Sequence, residues 1–375
     1  MRIGFDAKRA FLNRSGLGGY SRNLITALST NFPQQEYFLY TTRKNPSLFD
    51  PAASNMRVCV PGPLLFQRLP SLWRSYALSK RLVKDKIDIY HGLSHEIPFR
   101  FPVKKVRSVV TIHDLIFLKF PHLYHDADRY IYEQKFRYAC RIADRIIAIS
   151  RQTANDIMEY FGTDRNKIEV IHQGCHPDFY KALSAVERDE IRAKYELPES
   201  YILYVGTIEE RKNLLSLVRA LHQGKISIPL VVIGKKTSYA REVFKFLDQY
   251  NSVRVLFYDV VRNIDLRGFY QLAAVFVYPS VYEGFGIPIL EALASRTPVI
   301  TSRGGCFSEA GGSATLYVDP LNYEEIAGAI LQVLQHSELQ EKMAETGYQH
   351  AMTLKEENIA GKVMQVYERI LQYSR

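Results

Sequence analysis

The chain has 375 residues, which is long for one hydrophobic core, so two domains are expected. Hydrophobic residues make up 47% of it, as in an ordinary folded soluble protein, and it has no apolar run long enough to predict a membrane-spanning helix. All the excess positive charge lies in the first half. Residues 1–180 carry 27 Lys and Arg against 16 Asp and Glu, whereas residues 181–375 carry 22 against 23.

The start of the chain and its cysteines bear on the compartment. Met1 leads directly into a strand-like segment without a secretory signal. The four cysteines are scattered, with no metal-like pairing. These features predict a cytoplasmic protein with four reduced thiols.

Apolar runs alternate with helical periodicities along the chain, which predicts an α/β fold with mostly parallel sheets. In the first half the predicted strands are residues 2–6, 37–40, 87–90, 108–112, 145–149 and 170–171, with a long helix at 126–143. The glycine and proline that follow, Gly174 and Pro177, predict a domain boundary. In the second half the predicted strands are 201–205, 230–233, 253–257 and 273–279, with helices at 213–222, 266–272 and 355–375.

Basic residues are concentrated in residues 68–107, which hold ten basic and three acidic side chains. Helical spacing over residues 70–86 places four apolar side chains on one face (Leu72, Trp73, Tyr76 and Val83) and three basic ones roughly opposite (Arg74, Arg81 and Lys84). This pattern fits a helix that docks on an anionic membrane surface. It fits equally an ordinary amphipathic helix that packs its apolar face inward. Nucleic acid is a poor partner, because no aromatic-rich binding motif or zinc spacing accompanies the charge.

The segment from Tyr282 to Glu291 predicts a strand end, a glycine turn and a helix in succession. Glu283 falls in the turn, Pro288 falls where a helix can begin, and Glu291 falls about one turn into that helix. Free amides at a helix start favour an anion such as phosphate. Two carboxylates beside such a site indicate a ligand with both hydroxyls and phosphates, such as a nucleotide sugar. The alternative is a surface glutamate followed by an unrelated helix glutamate.

Three other motifs lie at predicted strand ends. Residues 15–20 form a glycine turn ahead of a predicted helix at 21–28, and glycines allow close approach of a phosphate or sugar. Arg211 and Lys212 are adjacent cations at a predicted helix start, where cations are unfavourable unless an anion compensates, so they are candidates to bind a diphosphate. His113 follows the strand at 108–112. A lone histidine is usually structural, but this one lies at the carboxyl end of a strand and is expected to face the cleft in which the ligand binds.

The chain resembles the retaining glycosyltransferases of family 4, which have the GT-B fold. The resemblance rests on Glu283 and Glu291 in the E-x7-E spacing, with Pro279-Ser280, Gly284-Phe285-Gly286, Pro288, Ala292 and Pro298-Val299-Ile300 around them. It also rests on Gly16 to Gly19, His113-Asp114, Val205-Gly206-Thr207 with Arg211-Lys212-Asn213, and Gly304-Gly305 to Gly311-Gly312. These motifs follow the family's order over nearly the whole chain.

The resemblance implies two Rossmann-like domains facing a central cleft. Residues 1–175 would bind the acceptor, residues 176–354 would bind the nucleotide-sugar donor, and residues 355–375 would form a helix crossing back to the first domain. The implied catalytic residues are His113, Arg211, Lys212 and Glu283. The implied donor-binding residues are Gly18, Gly19, Gly206, Thr207, Val260, Gly284, Phe285, Gly286, Ile287 and Glu291. Within this set Glu283 would contact the sugar hydroxyls and Glu291 the ribose.

The expected activity is retaining transfer of a hexose from a GDP- or UDP-sugar to a glycan or lipid-linked acceptor in cell-surface polysaccharide synthesis. Transfer would occur by front-face attack and would need no metal and no cofactor beyond the donor. The enzyme would be cytoplasmic, at the inner face of the cell membrane. The alternatives are a sugar-nucleotide epimerase or phosphorylase on the same scaffold, and a non-catalytic lipid-binding protein.

The chain departs from the family pattern at three places. Asp259 and Arg296 each replace a common glycine, and Cys175-His176 replaces a hydrophobic residue and an aspartate. The first departure leaves the identity of the nucleotide base open, and the others are expected to affect loop shape only.

Overall fold

A computed structural model describes residues 1–62, 68–259 and 261–372 of the chain. The chain divides into two compact units. Unit 1 comprises Met1–Gly174 together with Glu356–Arg375, and unit 2 comprises Cys175–Lys355. The predicted domain boundary between residues 175 and 176 lies one residue from this division. Val260, which was predicted to bind the donor, lies outside the described residues.

Unit 1 is built on a seven-stranded sheet, and all of its strand pairs are parallel. The strands are β1 (Arg2–Asp6), β2 (Glu36–Tyr40), β3 (Met56–Cys59), β4 (Ile89–Gly92), β5 (Arg107–Ile112), β6 (Arg145–Ala148) and β7 (Ile168–Val170). Their order across the sheet is β3-β2-β1-β4-β5-β6-β7. Alternate residues enter separate cores on the two faces, as Leu39 and Tyr40 of β2 show. Burial on both faces explains why these strands read as continuous apolar runs.

Helices cover both faces of this sheet, because each crossover between parallel strands must pass over one face. The helices of unit 1 are α1 (Lys8–Leu12), α2 (Gly16–Asn31), α3 (Pro70–Leu72), α4 (Leu78–Lys84), α5 (Ile116–Lys119), α6 (Asp126–Ile142) and α7 (Arg151–Phe161), with short 3-10 turns at Pro121–Leu123 and Arg165–Lys167. The last helix of the chain, Glu356–Gln372, also belongs to this unit. Its buried residues Ile359, Val363 and Tyr367 share one core with Leu24 of α2.

Unit 2 contains a six-stranded parallel sheet. Its strands are β8 (Ile202–Val205), β9 (Leu230–Ile233), β10 (Val255–Tyr258), β11 (Val275–Tyr278), β12 (Val299–Ser302) and β13 (Leu316–Val318), in the order β10-β9-β8-β11-β12-β13 across the sheet. Its helices are α8 (Ala185–Lys194), α9 (Leu214–Gln223), α10 (Ala240–Gln249), α11 (Asn263–Leu272), α12 (Ile287–Ala294), α13 (Phe307–Gly311), α14 (Tyr323–Gln335) and α15 (Ser337–Thr353), with 3-10 turns at Pro177–Tyr180, Glu210–Lys212 and Gly312–Ala314. The last helix of the chain, in unit 1, is therefore α16.

Chain order reverses once in each sheet, between β1 and β4 in unit 1 and between β8 and β11 in unit 2. Ligands of open parallel sheets bind outside the carboxyl ends of the strands at such a switch point. In unit 2 the loops that follow β8 and β11 contain the Arg211-Lys212 and Glu283 motifs. The topology therefore brings two motifs together that lie about seventy positions apart in the sequence.

Some predicted element limits are wrong. The helix expected at 21–28 begins at Gly16, so the glycine run is its first turn and not a loop ahead of it. The strand expected at 87–90 runs from Ile89 to Gly92, and the one expected at 253–257 runs from Val255 to Tyr258. In each case the strand limits follow hydrogen bonding with a neighbouring strand, which local periodicity does not show.

The predicted basic helix exists, but its faces are not those expected. Between α3 and α4 a π-helical turn, Trp73–Ala77, is closed by the amide of Leu78 and the carbonyl of Trp73, five residues earlier. The wider turn rotates the side chains. Trp73 is 5% exposed whereas Tyr76 is 50% exposed, and Arg74 lies inside the fold in ion pairs with Asp6 at 2.7 Å and Glu96 at 2.6 Å. The expected face with Trp73 and Tyr76 together, opposite Arg74, is therefore wrong.

Across the part of the chain that the structure describes, no helix is both long and apolar enough to cross a bilayer.

Candidate active site

A charged cluster around Glu283 lies at the switch point of unit 2. Glu283 Oε1 lies 2.8 Å from Arg211 Nη1 and 3.2 Å from Lys212 Nζ. The same oxygen accepts hydrogen bonds from the hydroxyls of Tyr278 at 2.7 Å and Ser280 at 2.9 Å. Glu283 is only 9% exposed, so this oxygen is held by four donors in a largely dehydrated setting.

Opposite charge sets the ionisation of this cluster. Burial alone would raise the pKa of Glu283, but Lys212 and Arg211, with the two hydroxyl donors, lower that pKa to about 2. Burial likewise opposes the charge on Arg211, and the carboxylates of Glu283 and Glu209 reverse that effect and raise the pKa of the guanidinium. The carboxylate and the guanidinium are therefore both ionised at neutral pH.

The two cations are positioned by the turn between β8 and α9. Arg211 and Lys212 lie in the 3-10 turn Glu210–Lys212, and Asn213 follows in the left-handed region at φ 57° before α9 begins. The carbonyl of Arg211 accepts the amide of Val281 at 2.8 Å, which ties this turn to the loop after β11. The expectation that adjacent cations here need an anion is met within unit 2 by Glu283.

Gly206, the first residue after β8, leaves room for the side chain of Lys212. Gly206 has φ 157°, and a Cβ there would lie 3.1 Å from Lys212 Cδ. The lysine side chain therefore lies along the glycine backbone, and its ammonium donates to the Tyr278 hydroxyl at 2.6 Å. Thr207, the next predicted donor contact, is half-buried, and its carbonyl accepts the amide of Glu209 at 3.0 Å.

The glycine turn after β11 leads directly into α12. Gly286 precedes the helix with φ 104°, a conformation that favours glycine. Gly284 and Phe285 are buried, whereas Ile287 at the helix start is half-buried. On the far side of the turn, the thiol of Cys306 contacts the Glu283 carbonyl, with a sulfur–oxygen distance of 3.2 Å. The backbone of this turn is thus held by packing as well as by the charged cluster.

Glu291 lies in a different environment from Glu283. It is the fifth residue of α12, in the second turn, and its Oε2 accepts the hydroxyl of Tyr270 from α11 at 2.9 Å. Burial raises the pKa of Glu291 to about 7, and Tyr270 and Lys212 offset this only in part. The two carboxylates of the E-x7-E spacing are therefore separated by several pKa units, one firmly ionised and one close to half-protonated at neutral pH.

In unit 1, His113 follows β5 and is only 4% exposed. Its Nε2 donates to the Leu93 carbonyl at 2.9 Å, and its Nδ1 accepts the side-chain amide of Gln173 at 2.6 Å. Burial lowers the pKa of His113 to about 4, so the ring is neutral. Both ring nitrogens have partners, so the predicted contact with a donor sugar requires one of these bonds to be exchanged, and it stays a prediction.

The two predicted donor-binding glycines of α2 differ from each other. A Cβ on Gly18 would lie 1.9 Å from the Asn13 carbonyl, whereas one on Gly19 would meet no atom within 4 Å. The amides of both glycines donate to the Ser15 carbonyl, at 2.9 and 3.0 Å. Gly18 is therefore needed by the fold itself, and only Gly19 leaves open space beside the backbone.

Sequence reasoning missed the hydroxyl groups that complete the site. Tyr278 and Tyr270 were predicted only as parts of a strand and a helix, although Tyr278 ends β11 directly before the Pro279-Ser280 motif. A tyrosine at the carboxyl end of a buried strand was the available signal. Among the described residues, no cluster of three or more His, Cys, Asp or Glu could hold a metal ion, and metal independence stays a prediction.

Comparisons with known proteins agree with this architecture. A family model described as Glycosyl transferases group 1 matches residues 187–350, and one described as Glycosyltransferase Family 4 matches residues 15–179. The O-antigen chain mannosyltransferase B of Escherichia coli is 29% identical over 390 residues, covering 98% of this chain and 100% of that protein. Sucrose-phosphate synthase from Thermosynechococcus elongatus superposes with a TM-score of 0.76 at 23% identity over 100% of both chains. Anabaena HepE, solved in complex with UDP, superposes with a TM-score of 0.74 at 15% identity over 98% of this chain and 100% of that one.

Two α/β units, each with a parallel sheet, have the GT-B fold of these solved structures. The two family models together span most of the chain. The protein belongs to the group 1, family 4 glycosyltransferases and is a transferase enzyme.

Proposed function

We propose that this enzyme transfers a hexose from a nucleoside-diphosphate sugar to a glycan or lipid-linked acceptor in cell-surface polysaccharide synthesis, with retention at the anomeric carbon. The ionised cluster of Glu283, Arg211 and Lys212 at the switch point of unit 2 carries the proposal. Two comparisons support it. One relative is named an O-antigen chain mannosyltransferase, and one structural neighbour was solved with UDP.

The cluster is suited to a reaction in which a diphosphate leaves. The acceptor hydroxyl oxygen forms a bond to the anomeric carbon, while the bond from that carbon to the distal phosphate oxygen breaks. The electron pair stays on the diphosphate, whose negative charge grows, and the acceptor proton passes to a phosphate oxygen. Arg211 and Lys212 are fixed cations in a largely buried site, and such groups stabilise developing charge without having to reorganise.

Glu283 is poorly suited to form a covalent glycosyl intermediate. A carboxylate nucleophile needs an accessible, basic oxygen, whereas Glu283 Oε1 is held by four donors and the pKa of the group is about 2. We therefore assign Glu283 to orienting the hydroxyls of the donor sugar, and front-face attack to the reaction. A glycosyl adduct trapped on Glu283 would contradict this assignment.

Glu291 is assigned to the ribose hydroxyls of the donor. Glu291 is the fifth residue of α12, which begins directly after the glycine turn, and the hydroxyl of Tyr270 fixes the direction of its carboxylate. A group with a pKa near 7 can both accept and donate hydrogen bonds, which suits a diol. No metal is required in this scheme, because Arg211 and Lys212 supply the positive charge.

We also propose that unit 1 docks on the anionic inner face of the cell membrane. Leu69, Leu72 and Tyr76 are 46%, 48% and 50% exposed on the segment around α3, and the neighbouring Lys80 and Arg81 are also exposed. Exposed apolar side chains flanked by cations suit a surface of anionic lipid. Combined Leu72→Ser, Tyr76→Ser and Lys80→Glu replacement should reduce cosedimentation with phosphatidylglycerol vesicles, most clearly at low salt. Unchanged cosedimentation would remove this surface from the proposal.

The first test is nucleotide binding by thermal shift, with EDTA present, against UDP, GDP and ADP. A ligand at 100 times its dissociation constant should stabilise the protein by about 2.7 kcal/mol. Lys212→Ala should lose most of the shift, whereas Lys342→Ala, an exposed lysine of α15, serves as the matched control and should retain it. Nucleotide sugars that bind are then incubated with saccharide acceptors, and the anomeric proton of the product is observed by NMR. Absence of binding by every nucleotide would refute the proposal, and an inverted product would refute retention.

A further inference from the structure

The ring of His113 in unit 1 is contacted by the buried side chain of Gln173. Gln173 is the third residue after β7 and only 5% exposed, and its Nε2 donates to His113 Nδ1 at 2.6 Å. We propose that Gln173 is a positioning residue. It holds His113 as the neutral tautomer with the proton on Nε2, so that the ring donates a hydrogen bond to an oxygen of the donor sugar. The inference rests on the proposed function and on the predicted contact of His113 with that sugar.

The two partners of the ring determine which nitrogen carries the proton. A neutral imidazole has one N–H and one nitrogen that accepts. The Leu93 carbonyl, 2.9 Å from Nε2, can only accept, so the proton lies on Nε2. Nδ1 is then bare, and an amide N–H is the partner that satisfies it. Leu93 and Gln173 therefore select the same tautomer.

The same two partners give the ring a direction. Leu93 directly follows β4, which lies at the switch point of unit 1, whereas Gln173 follows β7, the last strand in the sheet order. His113 follows β5, which lies between these two strands. Ligands of open parallel sheets bind beside the switch point. The protonated nitrogen therefore faces the side on which a ligand binds, and the accepting nitrogen faces Gln173, away from it.

The plane of the ring is fixed by packing. The ring of Tyr20 meets it edge-on at 4.7 Å between centres, and the ring of His95 does so at 5.1 Å. His95 is itself stacked on Phe136 at 4.4 Å, and its Nδ1 accepts the backbone amide of His113 at 3.3 Å. These contacts hold the ring in place but do not decide which of its nitrogens is protonated. That choice is left to the two hydrogen-bond partners.

The groups around the ring keep it neutral. Burial lowers the pKa of His113 to about 4, and the positive charge of Arg9 on α1 acts in the same direction, although the carbonyl partner of Nε2 opposes this. Burial also keeps Tyr20 and His95 uncharged, because it raises the pKa of the first and lowers the pKa of the second. The carboxylate of Asp114, the next residue, accepts a backbone amide two residues further on at 3.1 Å. The neutral ring therefore offers a ligand its Nε2–H.

Gln173 matters most when a sugar replaces one of the two partners. The Leu93 carbonyl lies on the ligand side, so it is the partner that a sugar oxygen exchanges with. A sugar hydroxyl both donates and accepts, so it does not by itself fix the tautomer. Gln173 stays on Nδ1 and keeps the proton on Nε2. The ring therefore remains a donor to the sugar throughout the exchange.

The tautomer is read from the nitrogen chemical shifts of the ring, by NMR of the full chain with isotope-labelled histidine, and His113→Asn identifies the signals. The probes are GDP-mannose with GDP and UDP-glucose with UDP, and the pair that binds the wild type is used throughout. The wild type should show the Nε2–H tautomer at pH 7 with and without the nucleotide sugar. Gln173→Met should show a mixture of tautomers when the nucleotide sugar is bound. Gln173→Glu should raise the pH at which the ring titrates by about 1–3 pH units, because a carboxylate stabilises the charged ring.

Calorimetry separates positioning from a general loss of structure. Loss of one hydrogen bond weakens binding by about 2- to 10-fold. Gln173→Met should weaken the nucleotide sugar by such a factor and leave the free nucleotide unchanged, because the ring contacts the sugar. Gln249→Met, at the exposed glutamine that ends α10, is the matched control and should change neither constant.

A wild-type ring that carries its proton on Nδ1, or that is charged at pH 7, overturns the inference. So does a Gln173→Met variant that keeps the Nε2–H tautomer with nucleotide sugar bound, or that weakens nucleotide and nucleotide sugar equally. An unchanged titration in Gln173→Glu overturns it as well, and this variant keeps the test decisive should Gln173→Met not fold. The proposed function stands in each of these cases. Failure of both pairs to bind the wild type overturns the proposed function and this inference with it.

Discussion

Replacing Glu283 with glutamine tests whether the charged cluster stabilises unit 2 as well as serving the reaction. Glutamine keeps the shape of the side chain and can still accept from Tyr278 and Ser280, but it removes the negative charge between Arg211 and Lys212. Both cations then remain in a mostly buried site, with side chains only 9% and 15% exposed, and Arg211 keeps its ion pair with Glu209. An uncompensated buried charge is destabilising because desolvation is no longer offset by attraction.

The magnitude follows from the pKa of the carboxyl. Glu283 has a pKa of about 2 in the folded protein, against 4.5 for an unperturbed glutamate. Ionised Glu283 therefore favours the folded state by about 3 kcal/mol above pH 4.5, and this contribution is lost as the pH falls toward 2. Removal of one partner of a buried ion pair costs about 3–5 kcal/mol, which agrees. For a unit of this size, the midpoint of thermal unfolding should fall by about 6–12 °C.

The chain has a single tryptophan, Trp73, and it lies in unit 1. Tryptophan emission therefore follows the unfolding of unit 1, while circular dichroism follows both units. For Glu283→Gln at pH 7 the circular dichroism transition should move to lower temperature. Comparing this transition with the one followed by tryptophan emission then shows whether unit 2 unfolds before unit 1 or together with it.

Glu341→Gln, an exposed glutamate of α15, is the matched control and should unfold like the wild type. Pyrophosphate should stabilise Glu283→Gln more than it stabilises the wild type, because it replaces the missing negative charge. A Glu283→Gln protein that unfolds within about 1 °C of the wild type would refute the reasoning, since it would mean that the two cations are solvated without their carboxylate.

Three further outcomes are expected. Lys212→Ala should lower turnover about 10²-fold or more, because it removes a fixed cation from the developing diphosphate, and unchanged steady-state turnover would take it out of the reaction. Glu291→Gln should unfold like the wild type near pH 4.5 but be more stable by about 1–3 kcal/mol at pH 8. The pKa of Glu291 rises from 4.5 to about 7 on folding, so ionising this group destabilises the folded wild type as the pH rises between these two values. Denaturant titrations that give the same difference in unfolding free energy between variant and wild type at both pH values would contradict this. Arg296 has φ 61°, so Arg296→Gly should be about 1 kcal/mol more stable than Arg296→Ala, because both lose the contacts with Glu345 and Tyr348 but only glycine accepts this conformation without strain.

Local sequence was a good guide wherever one residue type has a specific conformational use. The run of strands and helices in unit 2 follows from short apolar segments that end in glycine, and Gly206 and Gly286 both have the positive φ expected at such turns. Arg296, noted as a substitute for glycine, has a positive φ as well. Periodicity was a poor guide where the helix geometry is not regular. The π-helical turn at Trp73–Ala77 changes which side chains face inward, and nothing in the local pattern signals it.

The sequence alone determined the α/β class and the two-part organisation, and it predicted the residues of the candidate donor site, because turns and helix starts depend on interactions within a few positions. Only the tertiary structure decided how those residues are paired. It made Glu283 the anion that compensates Arg211 and Lys212, and it separated the pKa values of Glu283 and Glu291. The reason is physical. Burial and opposite charge act over a few ångströms in space, and the strand order of the sheet brings groups within that distance although they lie far apart in the sequence.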